Sequence, residues 1–216
     1  LEVHDAPFAG RSHADKRADV TKWLAEKGAD AVVIAALDSI AWLLNIRGKD
    51  VSRTPVALAF VIAHKDGSVD LFTAPEKLTP AVRAHLGDAV RCQPRDSFAE
   101  ALKAMTGQAV VVDPQSCVAA IFNALESGGA RIIEARDPTV LPRAVKNPTE
   151  IAGTIAAHVR DELGIFEHTE AQPLVAAGAS ALTFGVGAAL PLAAAALAPE
   201  PQIALWVTGV SLVFLA

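Results

Sequence analysis

Residues 108–135 read QAVVVDPQSCVAAIFNALESGGARIIEA. The flanking pieces, QAVVVD and ARIIEA, are short apolar runs of strand type. The middle piece, PQSCVAAIFNALESGG, reads as a helix closed by glycines. A strand, a helix and a second strand in this order belong to an α/β layer arrangement, and the rest of the N-terminal part repeats the pattern.

Upstream, SHADKRADVTKWLAEKGAD (12–30) reads as an amphipathic helix. Ser12 and Asp15 have capping-box spacing, Val20, Trp23 and Leu24 share a face, and Gly28 ends it. AVVIAA (31–36) is wholly apolar, as in a strand covered on both faces. TPVALAFVIAHKDGSVDLFTA (54–74) reads as a hairpin turning at Asp66-Gly67. A helix around 76–86, a strand at 88–92 and a helix at 96–105 complete a mixed-sheet α/β sandwich over residues 11–138, after a segment 1–10 that reads as the end of something preceding it. DPTVLPRAVKNPTE, with three prolines, reads as a linker. Asn147-Pro148-x-Glu150 then starts a new helix, with Asn as cap, so residues 139–172 read as linker and helix.

Charge divides the chain. All 19 Lys and Arg lie at or before Arg160, with 19 of the 24 acids. The first part is therefore neutral, and the net charge of −5 comes from Asp161, Glu162, Glu167, Glu170 and Glu200. No basic patch survives, which argues against nucleic acid as a partner. Cys92 and Cys117 sit in apolar-periodic segments without metal-site spacing and read as buried thiols of a reducing compartment. The first ten residues lack the pattern of a signal peptide, the chain starts at Leu1, and Met105 is its only methionine, so it reads as a fragment.

ALDSIAWLLNIRGKDVSRTPVALAF and LPRAVKNPTEIAGTIAAHVRD resemble the aminopeptidase P (X-prolyl aminopeptidase) family, metallopeptidases that remove an N-terminal residue preceding proline. The resemblance runs from about Leu1 to Asp161. It implies the family's non-catalytic creatinase/prolidase N-terminal-type module, followed by the first helix of the catalytic domain. It further implies, for the parent, peptides with proline at the second position and two divalent ions, usually manganese, held by Asp, His and Glu. Those ligands belong downstream of the Lys146-Asn147-Pro148 helix. There this chain offers His168 and four glutamates, at no usable spacing, so no metal, no cofactor and no catalytic residue is expected in it. The resemblance makes Asn45 and Arg47 candidates for the substrate rim. The plainer alternative is that Arg47 pairs with a nearby acid and Gly48 adopts a positive φ. His64 and His85 read as surface histidines, Trp23 and Trp42 as core residues, and Asp113-Pro114 as a strand-to-helix cap.

PLVAAGASALTFGVGAALPLAAAALA (173–198) is 26 residues without a charge. As a helix it spans about 39 Å, against a bilayer core of roughly 30 Å, so it reads as transmembrane. Ala177, Ala181, Gly185 and Ala189 recur every fourth position, the spacing of a close-packing face. IALWVTGVSLVFLA then begins a second apolar segment that reads as cut off at Ala216. The charge division puts the α/β part in the cytoplasm. RDELGIFEHTEAQPLVAAGASALTFGVGAALPL (160–192) resembles the vacuolar iron transporter (VIT) family of iron and manganese carriers. The resemblance makes Glu162, Glu167 and Glu170 loose matches to an acidic stretch, and as metal ligands they compete with a solvated helix end. Three readings follow. The chain is part of an X-prolyl aminopeptidase joined to a membrane segment; or a partial VIT-like transporter with an α/β passenger; or a membrane-tethered binding module. An exposed apolar tail predicts self-association in each case.

Overall fold

The computed structural model describes residues 1–161 and 173–215. They group into two compact units, Leu1–Ala157 and His158–Ala216. The first unit contains β1 (Glu2–Val3), α1 (Ala6–Ala9), α2 (His13–Lys27), β2 (Ala31–Ile34), α3 (Leu37–Leu44), β3 (Ile46–Arg47), β4 (Phe60–His64), β5 (Val69–Thr73) and α4 (Pro80–Leu86). It continues with β6 (Val90–Pro94), α5 (Phe98–Lys103), β7 (Ala109–Val112), α6 (Ala119–Ser127), β8 (Arg131–Glu134), α7 (Val140–Ala144) and most of α8 (Pro148–Asp161).

Six strands form one mixed sheet in the order β6-β5-β4-β2-β7-β8. β4 runs antiparallel to both β2 and β5, and the remaining neighbours are parallel. The hairpin turns at Asp66-Gly67 as its sequence requires, with Gly67 at φ 83°. Alternation along each strand splits the buried residues between two cores. Val32, Ile34, Val61, Leu71 and Val111 face α2, α3 and α4 residues such as Leu24, Leu43 and Val82. Ala31, Val33, Ile62, Phe72 and Val112 face α5 and α6 through Phe98, Leu102, Ile121 and Leu125. Because β2 and β7 are covered on both faces they carry no polar side chain, which explains their unbroken apolar runs. Each large side chain buried this fully contributes about 1.5–3 kcal/mol.

Several local expectations are met. Ser12 caps α2 by accepting from the Asp15 N–H at 3.1 Å, and Gly28 ends it at φ 61°. The helix expected around 76–86 is shorter. A 3₁₀ turn at Pro75–Lys77 is separated from α4 by Thr79, whose hydroxyl caps α4 through the Val82 N–H. The proline-rich stretch is folded: Asp137 and Thr139 are 3% and 1% exposed, and Arg143 on α7 pairs with Asp38 on α3. At α8, Asn147 Oδ1 accepts from the Glu150 N–H and Glu150 Oε2 from the Asn147 N–H, both at 3.0 Å, a closed capping box.

In the second unit α9 (Pro173–Leu197) packs with α10 (Ile203–Leu215). Among the described residues, Leu174–Leu197 is long and apolar enough to cross a membrane. Leu174, Leu182, Phe184 and Leu205 are all more than 70% exposed.

Candidate functional site

The α3–β3 turn carries Asn45 and Arg47. Asn45 closes α3 in the left-handed conformation, φ 51°, which its short polar side chain tolerates better than a branched one would. It is 3% exposed, and each end of its amide is occupied. Oδ1 accepts from Lys16 Nζ at 2.7 Å, and Nδ2 donates to the Arg11 carbonyl at 2.8 Å. The Asn45 carbonyl accepts from the His4 N–H at 2.8 Å, tying in the segment between β1 and α1. Arg47 is half-buried. Its Nη1 donates to the carbonyls of Ala41 and Ile46 at 3.1 and 2.9 Å. Carbonyl acceptors thus take the place of the acid pairing considered from the sequence.

Gly48 also departs from its sequence reading, since it is not among the positive-φ glycines. A Cβ there would lie 2.7 Å from the Ala57 Cβ and 2.8 Å from the Val56 carbonyl oxygen, so glycine is needed for close approach. Asp50, in the same turn, accepts from the Leu58 N–H at 2.7 Å and from Lys77 Nζ at 2.6 Å.

Lys16 organises this region and escaped the sequence reading. It is 2% exposed. Its ammonium donates to the Trp42 carbonyl at 3.0 Å as well as to Asn45, and lies 4.2 Å from the Trp42 ring centre. Burial pushes Lys16 down to about 8; Arg47 and Arg11 act in the same direction, and Glu150 opposes them. A signal was present in the sequence. Lys16 falls in the same i, i+4 row as Val20 and Leu24, the buried face of α2. Trp23 and Trp42, expected in the core, are half-buried and line a cavity of about 180 Å³ with Lys16, Pro138 and Pro142.

The histidines expected at the surface are half-buried and bonded. His85 Nε2 meets the Leu44 carbonyl at 2.9 Å, and His13 stacks on its ring at 4.7 Å between centres. His64 Nε2 meets Asp70 Oδ2 at 2.7 Å, and Arg91 donates to both oxygens of Asp70. Burial alone would raise the Asp70 carboxyl, but the bonds from His64 and Arg91 outweigh it and bring it down to about 2. Asp113 caps the turn after β7 rather than the helix itself. Its Oδ1 accepts from the Gln115 N–H and its Oδ2 from the Asp137 N–H, whereas α6 starts later, at Ala119. Cys117 is buried, which pushes its thiol up; Cys92 is half-buried.

Among the described residues no three His, Cys, Asp or Glu side chains converge to hold a metal ion. Glu162, Glu167, Glu170 and His168 lie outside the described residues. The residues present in the α/β unit therefore do not fit a two-metal centre.

The sequence model of the Creatinase/Prolidase N-terminal domain matches residues 1–150. The chain belongs to the creatinase/prolidase N-terminal domain family. The VIT family model matches residues 87–216, so the chain belongs to that family as well. The two matches overlap at 87–150, where the fold is that of the α/β sheet, from β6 to α7. "Probable Xaa-Pro aminopeptidase P" of Aspergillus clavatus is 38% identical over 176 residues, covering 78% of this chain and 27% of that protein. Xaa-Pro aminopeptidase 1 of Dictyostelium discoideum is 33% identical over 162 residues, covering 74% and 25%. The X-prolyl aminopeptidase of Caenorhabditis elegans, a cytosolic enzyme with a di-nuclear active site, superposes with a TM-score of 0.65 at 27% identity, over 74% of this chain and 27% of that one. The chain thus spans about a quarter of these relatives. Within the creatinase/prolidase module the Lys16–Asn45 network fixes the turn that presents Arg47.

Proposed function

We propose that this chain carries the non-catalytic module of an X-prolyl aminopeptidase, at 11–138, with the connecting segment and helix of 139–172, joined to membrane-inserted helices at 173–216. The observation that carries this reading is the family match over 1–150, on an α/β unit whose residues do not fit a metal centre, followed one helix later by the charge-free α9. In the complete enzyme the module would border a cleft for peptides with proline at the second position. Arg47 would stand at the rim, with Asn45 as the positioning residue that sets its turn. By itself the chain has no peptidase activity, takes no metal, and keeps its α/β part on the cytoplasmic side, where the positive-inside tendency puts it. The exposed apolar faces of α9 and α10 would drive self-association outside a bilayer.

The test is the full chain in lipid vesicles, assayed with an X-Pro peptide and manganese, with peptide binding followed separately. We expect no hydrolysis, weak peptide binding reduced by Arg47→Ala, and retention of the chain in the membrane after alkaline extraction. Hydrolysis, or loss from the membrane, overturns the reading. A second reading, a partial VIT-like carrier with an α/β passenger, is supported by the match over 87–216. Iron or manganese uptake by the same vesicles would favour it.

A further inference from the structure

α8 begins docked and then leaves the α/β core. Asn147 Nδ2 donates to the Ala9 carbonyl at 2.9 Å, yet every residue from Ile151 to His158 is exposed, including Ile151 at 48% and Ile155 at 59%. At 100° per residue, Ile151, Ala152, Ile155, Ala156 and Val159 share one face, while Glu150, Thr154, Ala157 and Arg160 share the other. A helix this short is marginal alone in water, where lengths below about 12–15 residues rarely persist. Its apolar face therefore needs a partner. Two facts point to lipid. From Asp161 to Pro173, where α9 starts, the chain can extend no more than about 40 Å, so α8 cannot escape a bilayer that α9 enters. The face is also bracketed by exposed cations, Lys146 before the helix and Arg160 in its last turn, which complement anionic headgroups.

We infer that α8 is a surface-lying membrane helix, with Ile151, Ile155 and Val159 set into the boundary between headgroups and acyl chains. This rests on the reading of α9 as membrane-inserted. The test uses the full chain with Cys92→Ser and Cys117→Ala, reconstituted into vesicles of phosphatidylcholine with phosphatidylglycerol. Nitroxide labels are placed singly at positions 151, 155, 154, 157 and, inside α9, 182. The ratio of accessibility to oxygen over a nickel chelate should be severalfold higher at 151 and 155 than at 154 and 157, and highest at 182. Position 182 in lipid with 151 and 155 open to nickel leaves α9 inserted and overturns the surface helix. Positions 151 and 155 shielded from both reagents mean a protein partner, a second copy or another domain, and also overturn it. Position 182 open to nickel shows that α9 is not inserted, and both readings fall.

Discussion

Lys16 Nζ and Asn45 Oδ1 are 2.7 Å apart inside the α/β unit, one on the buried face of α2 and the other in the left-handed turn that closes α3. The pair sets the course of the chain toward Arg47. Removing one partner orphans the other, and an unsatisfied buried polar group costs about 1–3 kcal/mol. Asn45→Ala adds left-handed strain of roughly 1–2 kcal/mol. Urea unfolding should therefore rank Asn45→Ala below Asn45→Gly in stability, and both below the parent chain. Equal midpoints for the three would contradict the network.

The same pair predicts a pH dependence of unusual sign. Lys16 titrates at about 8 when folded and near its ordinary 10.5 when unfolded, so between these values the unfolded chain holds more protons. Stability contributed through Lys16 must then rise with pH across that window. Measured as the difference between the parent and Lys16→Met, it should move in the parent's favour from pH 8 to 10. A flat difference would show that Lys16 keeps its ordinary affinity for protons.

Asp70 gives the opposite case. Its folded carboxyl is held at about 2 against an ordinary 3.8 by His64 and Arg91, so its contribution is present above pH 4 and fades as pH falls toward 2. Asp70→Asn should be less stable than the parent at pH 6, and the gap should narrow on acidification. A constant gap would assign the loss to packing instead.

Gly48→Ala should destabilise the unit by about 1–3 kcal/mol, because the added methyl meets Ala57 and the Val56 carbonyl. Thermal unfolding checks it, with Gly28→Ala as the control for backbone strain: a Cβ at Gly28 meets nothing within 4 Å, but its φ is 61°.

Asn147→Ala removes both the cap of α8 and the bond to Ala9. A loss of roughly 1–2 kcal/mol should appear as faster amide exchange in the first turn of α8, with the sheet unchanged. Uniform acceleration through the sheet would mean that the cap supports the whole unit.

Much of this protein is local, and the sequence by itself determined it. The wholly apolar AVVI and AVVV runs announced strands covered on both faces, Ser12 and Asn147 announced helix starts, and Asp66-Gly67 announced the hairpin. The quoted family motifs pointed to the creatinase/prolidase module, and the loss of charge after Asp161 to the VIT-like tail. Each signal rests on hydrophobic period or backbone chemistry within a few residues. The tertiary structure alone decided what distant residues do to one another. It buried Lys16 against Trp42 and Asn45, 26 and 29 positions away, lowering its proton affinity. It turned Gly48 from a residue of free φ into one that admits a neighbouring strand of chain, and it gave Arg47 carbonyls in place of an acid. Burial, hydrogen-bond partners and proton affinity are set by what the fold brings alongside a side chain, and α2 shows it: the same helical row holds Val20, Leu24 and a lysine, and only the position of Asn45 gives the lysine its place there.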